Sequence, residues 1–215
     1  MTHHHTSSTP HTLCNPSKPD CPRSIAAYAL FITCCFLVTI PVFSQSPTRP
    51  QSDNYIRGVE ALNNGDVETA YSFLNQEIEM NPDNGYAHCY MALVCNCCGD
   101  CRLAMHAVGE ALRLLPEEDR EYRSFAYYSR GMMLLGAKAY AQAESDFTRA
   151  IDLLPEDTLN YMGRAEALMM EGRYEEAMAD LVTVKKIDEK ADVFELMMKL
   201  MELNPDSYDY LVEIF

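Results

Sequence analysis

A chain of 215 residues, 48% hydrophobic and 23% charged, has an ordinary globular composition and room for one solenoid or domain of modest size. Its 32 acidic and 17 basic residues give a net charge of −15 and a pI near 4.7. That balance argues against nucleic acid as a partner, because phosphate binding needs clustered Lys and Arg. Here the cations stand singly or in pairs such as Lys185–Lys186, and the acidity favours solubility and cationic or neutral partners.

Residues 1–44 form a leader. Met1 to Arg23 is polar, Ile25 to Ile40 is apolar, and Val42-x-Ser44 follows. Arg23, the apolar run and the small residue at Ser44 read as the three parts of a secretory signal cut after Ser44. The reading that follows is an exported, periplasmic or envelope-associated protein. The alternative is an uncleaved N-terminal anchor, although a membrane span needs about 20 apolar residues and only Arg49 follows the run as a cation. The 23 residues ahead of Ser24 are long for a signal, which leaves a mis-set start as a third reading. Residues 45–52 form a polar linker.

From residue 51 the chain repeats with a period of 34. The first copy, 51–84, places Gly58, Ala70 and Leu74 where helices meet, Gly65-Asp66 at a turn and Pro82 at the end. The second, 85–118, matches with Ala92, Ala104, Val108, Ala111, Gly99-Asp100 and Pro116. Ala104 to Ala143 is 39 residues, so Asp119 to Arg123 is an insertion of five that lengthens a loop or the next helix. The third and fourth copies, 124–157 and 158–191, are the best matched. Gly131 aligns with Ala165, Leu134 with Leu168, Tyr140 with Tyr174, Ala143 with Ala177 and Phe147 with Leu181. Four places depart from the pattern. Asn54 and His88 replace a large apolar residue, Glu77 a small one, and Glu189 the closing proline. In 192–215 the period fails. Asp192 to Leu203 reads as an amphipathic helix with Val193, Leu196, Met197, Leu200 and Met201 on one side. Tyr208 to Phe215 then starts another helix and stops on apolar residues, which either dock back, pair with another copy, or continue into a longer array.

The 34-residue unit with small residues at the helix contact and a terminal proline resembles the tetratricopeptide repeat, a helix–turn–helix unit. The resemblance implies an all-α, right-handed α-solenoid of stacked hairpins. It also implies a concave groove, lined by the first helix of each hairpin, that takes a peptide or a helix of another protein. Carried onto this sequence, the groove positions are Tyr55, Val59, Tyr86, Cys89, Leu93, Phe125, Tyr128, Met132, Met162 and Glu166. Their aromatic and Met-rich character suits an apolar segment. Family members that hold acidic chaperone C-termini use Lys and Asn on these helices, whereas Tyr55, Val59, Tyr90 and Phe125 stand there in this chain. That carboxylate clamp is therefore not expected.

Five cysteines, Cys89, Cys95, Cys97, Cys98 and Cys101, gather in the second copy. Cys98-Gly99-Asp100-Cys101 is a C-x-x-C on a turn. It admits inert thiols, a local Cys98–Cys101 disulfide in an exported protein, a metal site with His88 or His106, or redox chemistry. A structural zinc site normally draws on two separated pairs, and a thioredoxin-like role wants a βαβ context. No Gly-rich phosphate loop, Ser–His–Asp set or H-E-x-x-H occurs. The expectation is a non-enzymatic interaction scaffold without cofactor or metal. The alternatives are a thiol or metal protein built on Cys95–Cys101, or the recognition part of a longer enzyme or sensor.

Overall fold

The computed structural model describes Pro50 and residues 52–207. The leader and its signal or anchor, and the apolar segment 208–215 with its self-association, lie outside the described residues. Nine helices and no strand occur among the described residues. They pair as hairpins: α1 (Asp53–Asn63) with α2 (Val67–Met80), α3 (Gly85–Cys97) with α4 (Cys101–Leu114), α5 (Arg120–Gly136) with α6 (Tyr140–Leu153), and α7 (Thr158–Met170) with α8 (Tyr174–Ile187). A single helix, α9 (Phe194–Leu203), and a 3-10 turn at Pro205–Ser207 follow. The fold is an all-α solenoid in which each hairpin contacts its neighbours, so no hairpin has a core of its own.

Local sequence explains where the helices start and turn. Ser52, Asp66, Asn84, Asp100, Asp119 and Asp157 each accept a hydrogen bond from a backbone N–H in the first turn of the helix they precede. The helices α6 and α8 follow Ala139 and Arg173 and have no such cap. Gly65, Gly99 and Gly172 adopt φ near +77° at the hairpin turns, and Lys138 takes the same place in the third hairpin at φ +62°. A side chain in that left-handed region is strained where glycine is not. Lys138→Gly should therefore raise stability by about 1 kcal/mol, read as a higher denaturant midpoint at unchanged slope.

Packing is tightest where small residues let helices close on a large one. The fully buried ring of Phe147 lies against Gly131 and Gly163. A Cβ at these two glycines would stand 2.9 and 2.5 Å from Phe147 Cε1. Burying such a ring contributes about 1.5–3 kcal/mol. A second device recurs within hairpins between residues 16 apart. Arg130 and Arg164 grip Asp146 and Asp180 through paired Nε and Nη2 bonds of 2.6–2.8 Å. At the corresponding places Arg57 lies over the Phe73 ring at 5.7 Å, and Met91 and Ala107 are simply buried.

Two departures from the repeat acquire physical accounts. Glu77 is 2% exposed, and its carboxylate accepts from Ser52 Oγ at 2.6 Å, Asn84 Nδ2 at 2.8 Å and Asn81 Nδ2 at 3.1 Å. It thus ties the start of α1 to the end of α2 and the start of α3. The five inserted residues lengthen a helix rather than a loop. They give α5 its 17 residues, against 11–14 in the other hairpin helices. At the far end, α9 covers α7 through Leu200 and the 2.6 Å bond from Lys199 Nζ to Glu166 Oε1, while Phe194, Met198 and Leu203 remain exposed.

Candidate functional site

The helices α1, α3, α5 and α7 contact one another in sequence and form the row around which stacked hairpins curve. All ten expected groove residues lie on this row, but they do not form one open surface. Tyr55, Tyr86, Cys89 and Leu93 are 8%, 5%, 2% and 6% exposed, so the groove expected at α1 and α3 is closed. Val59, Phe125, Tyr128, Met132 and Met162 are half-buried and accessible, and Glu166 is engaged by Lys199.

A contributor to this closure lies outside the repeat pattern. Tyr122 stands in the five-residue insertion, one helical turn ahead of Phe125, and turns into the row. Its ring meets Tyr86 at 4.7 Å, Tyr90 at 6.3 Å and Phe125 at 6.4 Å between centroids, while Tyr55 and Tyr90 meet at 5.9 Å. The Tyr122 hydroxyl lies 3.3 Å from both the Tyr55 and Tyr90 hydroxyls, and Tyr86 donates to Asp119 Oδ2 at 2.9 Å. Edge-to-face aromatic pairs add about 0.5–1.5 kcal/mol each beyond area burial. Burial, and after it Tyr90 and Tyr122, push the Tyr55 phenol well above its ordinary range, so Tyr55 stays uncharged. The available signal was the 39-residue spacing from Ala104 to Ala143. Read as an extended helix, it places a tyrosine one turn earlier than in the other copies.

The cysteines do not form the local pairing. Cys89 and Cys95 are buried thiols, and Cys98 is not joined to Cys101. Among the described residues, no group of three or more His, Cys, Asp or Glu is placed to hold a metal ion. Burial pushes Cys89 far up and Cys95 to about 12, with Asp119 and Asp100 adding to the respective shifts. At pH 8 a thiol of that pKa is only about one part in ten thousand thiolate, the reactive form. Cys89 and Cys95 should resist alkylation in the folded chain and react fully in denaturant. Mass spectrometry after iodoacetamide checks this, and rapid native labelling of either would revive a thiol chemistry.

The geometry defines an α-solenoid of two-helix repeats with an aromatic, partly closed inner row. The tetratricopeptide-repeat family model matches residues 134–200. The chain is 33% identical over 76 residues to DnaJ homolog subfamily C member 7 of Mus musculus, which is 35% of this chain and 15% of that protein. Among solved structures, MamA 41-end from Desulfovibrio magneticus RS-1 superposes with a TM-score of 0.64 at 18% identity, covering 77% of this chain and 93% of that one. YrrB, described as a tetratricopeptide-repeat protein with an unusual peptide-binding site, gives 0.55 at 19% identity, covering 71% and 86%. The likeness is of fold over most of the chain and of sequence to the tetratricopeptide repeat over residues 134–200.

Proposed function

We propose that this chain is a non-catalytic scaffold that holds an apolar peptide or helix of another protein on α5 and α7. The observation that carries this reading is the divided inner row. On α1 and α3, Tyr55, Tyr86, Cys89 and Leu93 are buried, while Phe125, Tyr128, Met132 and Met162 stay accessible on neighbouring helices. Aromatic and methionine side chains at such spacing accept the apolar stripe of a helix, and Met adapts to its shape. The peptide-binding site of the similar YrrB supports the same use of the fold. A carboxylate clamp is not part of this reading, because the helices offer Tyr90 and Phe125 in place of Lys and Asn.

The experiment is a titration with an amphipathic helical peptide carrying leucines at i, i+3, i+4 and i+7, beside an all-polar control. Met132→Glu, which sets a charge amid the accessible patch, should weaken binding at least about tenfold, or about 1.4 kcal/mol. Met162→Glu serves as the second variant, and circular dichroism verifies folding. Equal binding by both variants and the unaltered chain would sink the reading. We also read the chain as exported, with the apolar run Ile25–Ile40 ahead of Val42-x-Ser44 as its signal. N-terminal sequencing of the mature protein tests that: a start at Gln45 supports it and a retained leader contradicts it.

A further inference from the structure

The cations that look scattered along the sequence gather on the side of α5 turned away from the inner row. Arg120, Arg123, Tyr127, Arg130 and Leu134 recur at intervals of three and four residues, which is one stripe of a helix. Phe125, Tyr128 and Met132 occupy the opposite stripe. Three guanidiniums surround the Tyr127 ring: Arg149 of α6 at 5.5 Å, Arg130 at 5.6 Å and Arg123 at 6.0 Å from its centroid. Of these, Arg130 is neutralised by Asp146. Arg123 donates to the carbonyls of Leu112 and Leu115, and Arg120 to those of Asp152 and Leu153, so neither uses its charge on a carboxylate. The exposed Arg149 makes its contact through the Tyr127 ring. Next to it lies a depression of about 340 Å³ lined by Met105, Arg130, Leu134, Gln142, Ser145, Asp146 and Arg149. A carboxylate entering there would meet the Arg149 guanidinium, the Ser145 hydroxyl and the Gln142 amide beside an Asp146 already paired with Arg130.

We propose that this outer stripe, between α4 and α6, binds an acidic peptide segment. Charge complementarity selects that occupant: four guanidiniums face one paired carboxylate, in a chain that is acidic elsewhere. The surrounding acidity does not cancel this, because screening confines charge effects to about 8 Å at physiological salt. Arg120 to Arg130 spans about 15 Å of helix, the length of about five extended residues. Two or three carboxylates on alternate positions of such a segment can reach the stripe, each taking a charge-assisted bond from a planar guanidinium fork. This site lies on the other side of α5 from the apolar patch, and goes beyond the reading given above.

Calorimetric titration of the full chain with hexaglutamate and hexaglutamine tests the proposal. Hexaglutamate should bind, more weakly as salt rises, and hexaglutamine should not. Arg149→Gln should weaken binding at least about fivefold, or about 1 kcal/mol, with an essentially unchanged thermal midpoint because the side chain is exposed, and Arg120→Gln/Arg149→Gln should weaken it further, with circular dichroism verifying that the double variant is folded. Met132→Glu should leave this binding intact, which separates it from the apolar site. The proposal is overturned by no binding of hexaglutamate, by equal binding of hexaglutamine, or by full affinity in the double variant.

Discussion

Replacing Phe147 by Ala is expected to lower stability by about 3–5 kcal/mol, the largest effect of any single truncation in the chain. The ring is fully buried and fills the junction of the third and fourth hairpins, against Gly131, Gly163 and Tyr128, the last at 5.8 Å between centroids. Because solenoid stability depends on interfaces between neighbours, losing this junction should uncouple α7–α9 from the rest. The same contact makes the opposite change costly. Gly163→Ala introduces a Cβ 2.5 Å from Phe147 Cε1, which forces the ring to move and should cost about 1–3 kcal/mol. At Gly109, also helical, a Cβ meets nothing within 4 Å, so Gly109→Ala should stabilise by about 1 kcal/mol. Urea denaturation of the three variants decides the point. Similar midpoints for Gly163→Ala and Gly109→Ala would show that the close approach does not matter.

Asp180→Ala is expected to be the second most damaging change, at about 2–3 kcal/mol. Breaking a fully buried pair costs about 3–5 kcal/mol. The value here is lower because the Arg164 side chain retains 23% exposure, against 7% for Asp180. What is lost is largely the penalty of a half-buried guanidinium without its partner. The second hairpin fills the same two places with Met91 and Ala107 and no charge. Importing that solution as Arg164→Met/Asp180→Ala should restore most of the stability, since apolar replacement of an ion pair is often neutral. Thermal denaturation of the single and double variants reads this directly. A double variant as unstable as Asp180→Ala would mean that the pair supplies net stabilisation rather than filling a place.

The architecture was legible because its signal is repeated. Gly58, Ala92, Gly131 and Ala165 recur against Ala70, Ala104, Ala143 and Ala177, and each match independently places the same helix contact. What the pattern could not show came from residues that occur once. Tyr122 belongs to no repeat position, yet it joins Tyr55, Tyr86 and Tyr90 in a buried cluster on the inner row. Glu77 violates its position and is made tolerable by Ser52, Asn81 and Asn84, which lie as far as 25 residues away in sequence. Lys138 adopts a glycine's conformation without being glycine, so the turn signal of the other hairpins is missing there. The arginine stripe was invisible for a related reason. Its members are spaced three or four apart in α5 and joined by Arg149 from α6, so no run of cations appears along the chain.

The central claim is that the inner row of this solenoid takes an apolar helix on its α5–α7 patch, with Tyr55, Tyr86, Cys89 and Leu93 closed to it. The most direct test is to follow the amphipathic-peptide titration by amide and methyl NMR. The account predicts shifts at Phe125, Tyr128, Met132 and Met162, with Tyr55, Tyr86, Cys89 and Leu93 unmoved. Shifts spread evenly over α1, α3, α5 and α7 would show that the tyrosine cluster opens to ligand, and would contradict it.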